Sequence, residues 1–304
     1  MILGDKHEDP RRAVAAWRAQ GVVAALVQYV PFLYGRRGLS RYPTRLVRAA
    51  RETGIRVTVF VHEPWVPPTR LPWIALSPLQ RSQLHTLLGS CDAAATPVPA
   101  WVTTLWNRPV VIHVGSTLGE PDAPPQGPAL PAPVLFSPFA AGLHWPWITA
   151  AVKAIGAEPP LVVIGADDDA IRQHRVAGRW LDSRWDCRGF LAPAEALALL
   201  ARARLVLAPF VDGLTGRRTS ALAALSVGAR LVSSRGHLFD PFFEQSPVIL
   251  ASTEQEFAAA ARAAWSAGDS GEQSARRLQW YRERLDPRTL DERLLSLVLG
   301  TNAP

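Results

Sequence analysis

The chain has 304 residues, 48% of them hydrophobic and 19% charged, with a formal net charge of +7. That excludes a disordered chain, and the length allows one large α/β unit or two compact domains. Two cysteines, Cys91 and Cys187, exclude a disulfide scaffold and a zinc cluster and fit a reducing compartment.

Lys6 and Lys153 are the only lysines, so arginine carries nearly all the positive charge. Arginine suits phosphate, although an Ala-, Pro- and Arg-rich composition also reads as a genome-level bias. Specific nucleic-acid binding is not expected. The start, MILGDKHEDPRR, carries no signal-peptide pattern, and no run of 18 apolar residues can span a membrane. The expected location is cytoplasmic. Arg and Trp favour interfaces, which leaves peripheral membrane contact open.

In chain order, residues 9–19 predict a helix and Val22–Val30 a strand covered on both faces. The loop PFLYGRRGLSRYP follows, then helix Thr44–Glu52, closed by Gly54. Ile55–Val61 predicts a strand ending in His62-Glu63-Pro64. Pro67 to Pro72 reads as loop and Leu79–Leu88 as helix. Asp92–Thr96 and Val110–Val114 are strand candidates. Residues 117–133 are rich in Pro and Gly and read as a linker. The expected domains are 1–116 and 134–286, with a last helix at about 287–300 packing back on the first domain.

The second half restarts with strand Val134–Ser137, helix 146–155 and strand Leu161–Ile164. Helix 167–177 precedes a WDCRGFL segment. Helix 193–203 leads to strand Leu205–Pro209, the loop FVDGLTGRRTS and helix Ser220–Val227. Strands Arg230–Ser233 and Pro247–Leu250 follow, then helices at 254–267, 272–284 and 287–298. Repeated β-then-α units predict parallel sheets flanked by helices, with ligands at the carboxyl ends of the strands. The expected fold class is therefore α/β, two Rossmann-like domains facing a cleft.

The segment Leu205–Gly236 carries the strongest chemistry. Asp212, Gly213, Arg217, Arg218, Thr219 and Ser220 stand between a strand and a helix start. Free amides there attract anions, and Arg217 and Arg218 can fork onto phosphate. Thr219 and Ser220 can cap the helix, and Asp212 can accept from hydroxyls. An ordinary capped helix with solvated arginines is the bland alternative. His62 and Glu63 end a strand, where His62 could meet a substrate hydroxyl or a developing charge. Tyr34, Arg36 and Arg37, in a glycine-flanked loop, could hold an acceptor or a phosphate. Asp167-Asp168-Asp169 reads as a helix start rather than a metal site. No metal motif, nucleophile elbow or dinucleotide fingerprint is present.

On these residues the chain resembles GT-B fold glycosyltransferases of the family 4 type, over roughly residues 22 to 300. WDCRGFLAPAEALALLARARLVLAPF looks like the family's segment before the donor site. FVDGLTGRRTSALAALSVGARLV looks like a branch in which an Asp-Gly loop and an Arg-Arg element replace the acidic motif. The resemblance implies retaining transfer of a sugar from a nucleotide-diphosphate sugar to an unidentified acceptor, with no further cofactor. It implies that Gly189, Phe190 and Leu191 meet the base, that Asp212 and Gly213 lie near the donor sugar, and that Arg218, Thr219 and Ser220 lie near the diphosphate. His62-Glu63-Pro64 matches the family's strand-end motif, with the histidine near the transferred sugar. The departures are a first domain short of a β-α unit, Ala223 where the family carries a glutamate, and Lys153 or His144 in place of the usual Arg and Lys. The alternative they leave is a catalytically inactive homologue acting as a partner or scaffold protein, and on either reading a homo- or hetero-oligomer stays open.

Overall fold

The computed structural model describes residues 9–69, 71–119, 127–137, 142–166, 169, 172, 179–180, 182–268 and 270–301. The expected helix 167–177 and the Asp167-Asp168 pair lie outside the described residues, apart from Asp169 and Arg172. The chain forms two compact units, one of Met1–His113 with Arg288–Pro304 and one of Val114–Pro287.

The first unit holds β1 (Ala24–Tyr29), β2 (Arg56–Val61), β3 (Ala93–Thr96) and β4 (Val110–Val111) in sequence order, all parallel. The run RVTVFV is buried from its second residue on, which is why it reads as continuously apolar rather than alternating. Tyr29, Leu46, Phe60, Leu84, Leu87 and Leu88 fill the core.

Two stretches of this unit depart from the sequence reading. The expected loop after β1 contains a short helix, Pro31–Tyr34, and a tight turn, Arg36–Gly38. Pro31 at the first helical position sets the required φ. The expected loop up to Pro72 is shorter, because a single helix spans Leu71–Leu88 and passes through Pro78. Pro72 sits in the first turn, where its missing N–H costs nothing. Pro78 is exposed and forfeits only the bond to the Ile74 carbonyl.

The second unit holds a six-stranded parallel sheet in the order β10-β9-β8-β5-β6-β7. These strands are β5 (Val134–Phe136), β6 (Val162–Ile164), β7 (Asp186–Cys187), β8 (Val206–Ala208), β9 (Leu231–Ser234) and β10 (Ile249–Ala251). β7 was not expected, since two residues with half-buried polar side chains carry no periodic signal. The order reverses between β5 and β8: β6 and β7 extend to one side of β5, and β8, β9 and β10 to the other. That reversal is the topological switch point, where ligands bind in doubly wound sheets. Trp145, Ile148, Leu135, Phe243 and Phe257 anchor the core. The expected linker is anchored at its end: Leu130 is buried and its amide donates to the Arg202 carbonyl at 2.9 Å, while Pro128, Ala129 and Pro131 stay exposed.

Candidate functional site

At the switch point the segments following β5 and β8 are joined by backbone. The His144 amide donates to the Pro209 carbonyl at 2.8 Å, and the Val211 amide to the Gly142 carbonyl at 2.9 Å. β9 fixes the same loop from the other side. The buried Ser233 and Ser234 hydroxyls donate to the Ala208 and Phe210 carbonyls, each at 2.6 Å. The Leu238 amide donates to the Asp212 carbonyl at 2.9 Å. Gly213 has φ +92°, and a methyl there would lie 2.6 Å from the Gly236 amide nitrogen. Only glycine fits that backbone and that approach.

The loop so fixed presents a triad of charges. The Asp212 carboxylate accepts from Arg217 Nη2 through one oxygen and from Arg218 Nη2 through the other. The Asp212 side chain is 13% exposed and each arginine 19%. Burial pushes the Asp212 carboxyl up, but Arg218 and Arg217 outweigh it and hold the group below its ordinary value. The Arg218 guanidinium also lies 4.5 Å from the Phe210 ring centroid. His144 is close enough for Asp212 to act on it. Burial lowers its pKa, Asp212 opposes that, and the net shift is downward. The imidazole stacks on Trp147 at 4.4 Å.

The helix Thr219–Ser226 begins directly after this triad. Arg218 is its N-cap and makes no side-chain capping bond. The expected capping by Thr219 and Ser220 is therefore corrected: both lie inside the first turn, half-buried, past the position from which a hydroxyl caps. Gly189, Phe190 and Leu191 follow β7 at its carboxyl end. The Gly189 carbonyl accepts from the Gly165 amide at 2.8 Å, and the Phe190 ring is 75% exposed.

In the first unit His62 and Glu63 stand at the carboxyl end of β2. His62 Nε2 is bonded to Gln28 Oε1, and its ring lies 4.7 Å from Phe60. Burial lowers the His62 pKa below its ordinary value, which favours the neutral imidazole. Glu63 is exposed. Tyr34 is corrected from an acceptor-side position to a packing one. It is 5% exposed, its hydroxyl donates to the Gln28 carbonyl at 2.5 Å, and burial raises its pKa. Arg36 and Arg37 are exposed as expected.

Sequence reasoning passed over the groups that hold these loops. Gln80, fully buried, accepts from the Val66 amide at 2.9 Å and donates to the Arg37 carbonyl at 2.8 Å. Gln83 accepts from the Ser40 amide at 2.6 Å. Phe210, Ser233, Ser234 and Gly236 do the same work in the second unit, and the SSRG that ends β9 and leads out of it is the signal that could have pointed to them. Among the described residues no group of three His, Cys, Asp or Glu side chains could hold a metal ion.

No family model and no curated protein sequence matches the chain. Solved structures do. An α,α-trehalose-phosphate synthase (UDP-forming) from Burkholderia xenovorans, in complex with glucose-6-phosphate, superposes with a TM-score of 0.57 at 15% identity, covering 95% of this chain and 77% of that one. An E. coli structure described as trehalose-6-phosphate, bound with UDP-2-fluoro glucose, gives 0.60 at 12%, covering 95% and 76%. AviGT4, a glycosyltransferase involved in avilamycin A biosynthesis, gives 0.50 at 18%, covering 88% and 82%. Likeness at such identity establishes fold alone. The chain has the GT-B fold of glycosyltransferases, built from two Rossmann-like units.

Proposed function

We propose that the second unit binds a nucleotide-diphosphate sugar at the Phe210–Ser220 loop, and that the chain transfers the sugar to an acceptor with retention of configuration. The observation that carries this reading is the Asp212–Arg217–Arg218 triad at the switch point. Two guanidiniums stand here beside one carboxylate in a poorly solvated place. A diphosphate supplies the matching anion, and guanidinium forks fit phosphate oxygens. Charge on the leaving diphosphate grows in the transition state, so Arg218 and the helix start at Thr219 and Ser220 would stabilise it more than the ground state.

Asp212 would have two tasks. It holds both arginines in place, and its remaining lone pairs can accept from sugar hydroxyls beside Gly213. The exposed Phe190 ring, with Gly189 and Leu191, offers a face for the base. His62, neutral, would hydrogen-bond the transferred sugar, with Glu63 beside it. Arg36 and Arg37 remain the acceptor-side groups. The acceptor is a glycan, a lipid-linked group or a small molecule.

A second reading has its own observation. Asp212 already engages both arginines, which suits a silent homologue that acts as a partner or scaffold. Calorimetry over UDP-, GDP-, ADP- and TDP-sugars separates the two. Binding that is lost in Arg218→Ala supports transfer, and no binding of any of them supports the silent reading. Proton NMR of the product then reads the anomeric configuration.

A further inference from the structure

The helix Leu71–Leu88 is built as two different halves. Its inward residues are Ser77, Gln80, Leu84, Leu87 and Leu88. Its second half turns polar side chains outward in the ordinary way. The first half, LPWIALSPL, has Ser77 as its one polar side chain, and that one is buried. On the outside stand Leu71, 84% exposed, Ile74, 52%, and Leu79, 55%, with Pro72, Ala75 and Pro78 between them. Positions 71, 74, 75 and 78 share one helical face. A soluble surface helix carries polar groups there.

A second apolar segment belongs to the same unit. Phe32 and Leu33 are each at least half exposed. Their short helix is tied to Leu71–Leu88 through Gln80, which donates to Arg37, and through Gly38, which packs against both Pro31 and the Gln80 amide. Exposed arginines flank both segments: Arg36, Arg37 and Arg41 after the first, Arg81 after the second. The sequence around them is one-sided. Between residues 10 and 91 there are twelve arginines against Glu52 and Glu63 alone, a net of +10 where the whole chain has +7.

From these surfaces we infer that the first unit docks on an anionic lipid bilayer. The outer face of Leu71–Leu79, with Phe32 and Leu33, enters the boundary between headgroups and acyl chains, and the arginines meet the headgroup phosphates. Interfacial helices bind by this combination of apolar burial and cationic flanks. A lipid surface requires only apolar area and charge, and the two segments with their flanking arginines supply both. No described helix is long and apolar enough to cross a membrane, so the contact is peripheral. This inference does not depend on the nucleotide-sugar reading.

Vesicle flotation of the full chain tests it, using phosphatidylcholine vesicles with and without phosphatidylglycerol. The triple variant Leu71→Gln, Ile74→Gln, Leu79→Gln changes exposed side chains only, and circular dichroism checks that it folds. The expected result is binding at least about 10-fold stronger on the anionic vesicles, weakened by salt, and about 10-fold weaker in the variant. Failure of the native chain to float overturns the inference. So does undiminished flotation of the folded variant. A native dimer that floats with neither vesicle and that the variant splits shows that a second copy covers the patch instead, and also overturns it.

Discussion

Gly213 and Gly236 meet backbone to backbone: a methyl on the first would lie 2.6 Å from the amide nitrogen of the second, and a methyl on the second 2.5 Å from the Asp212 carbonyl carbon. The contact holds the Asp212 loop against the segment after β9. Gly213→Ala adds a strained φ to that clash, so its cost exceeds the ~1 kcal/mol that the same replacement gains at a compatible site. We expect Gly213→Ala to lower stability by several times that amount in urea unfolding. A loss below 1 kcal/mol would show that the two segments separate readily.

Asp212→Asn removes a counter-charge from two poorly solvated guanidiniums. Breaking such a pair from one side costs about 3 kcal/mol. The same group predicts a pH effect. Its folded pKa lies below the unfolded value, so its stabilisation is present above pH ~3.8 and lost as pH falls through the folded value. The variant should be less stable at neutral pH and should show a smaller further loss on acidification. Equal acid sensitivity in both proteins would contradict the pairing.

His62 gives a second window. Burial lowers its pKa from the ordinary 6.5. Its contribution is therefore full above pH ~6.5 and is lost as pH falls through the depressed value. His62→Gln cannot take up the proton, so its stability should vary less across the weakly acidic range. His144 shifts in the same direction and will leave part of the slope in place. An unchanged slope in His62→Gln would mean that the imidazole is not protonated on unfolding.

Much of the fold was legible because buried parallel strands announce themselves. Ile55–Val61 became β2 over Arg56–Val61, and Val134–Ser137 became β5 over Val134–Phe136, since both faces of each are covered. The loop between β8 and its helix was legible for a different reason: glycines, hydroxyls and arginines crowd into eleven residues there. The Asp212 pairing was not, because residues five and six positions apart can point anywhere until Gly213 and Gly236 fix the turn. Nor was the helix through Pro72 and Pro78 legible. Three prolines between positions 67 and 72 read as a loop, and the burial of Ser77, Gln80, Leu84, Leu87 and Leu88 shows how the helix is held.

In the function proposed above, the arginines paired with Asp212 bind the diphosphate of a nucleotide sugar. The most direct measurement is isothermal titration of UDP, GDP, ADP and TDP sugars into the native chain and into Arg218→Ala. Loss of a charge-assisted phosphate contact of about 2 kcal/mol weakens binding by roughly 30-fold. The expected result is binding of at least one of these sugars by the native chain and that loss in the variant. Native binding unchanged in a folded Arg218→Ala, or no binding of any nucleotide sugar, would contradict it.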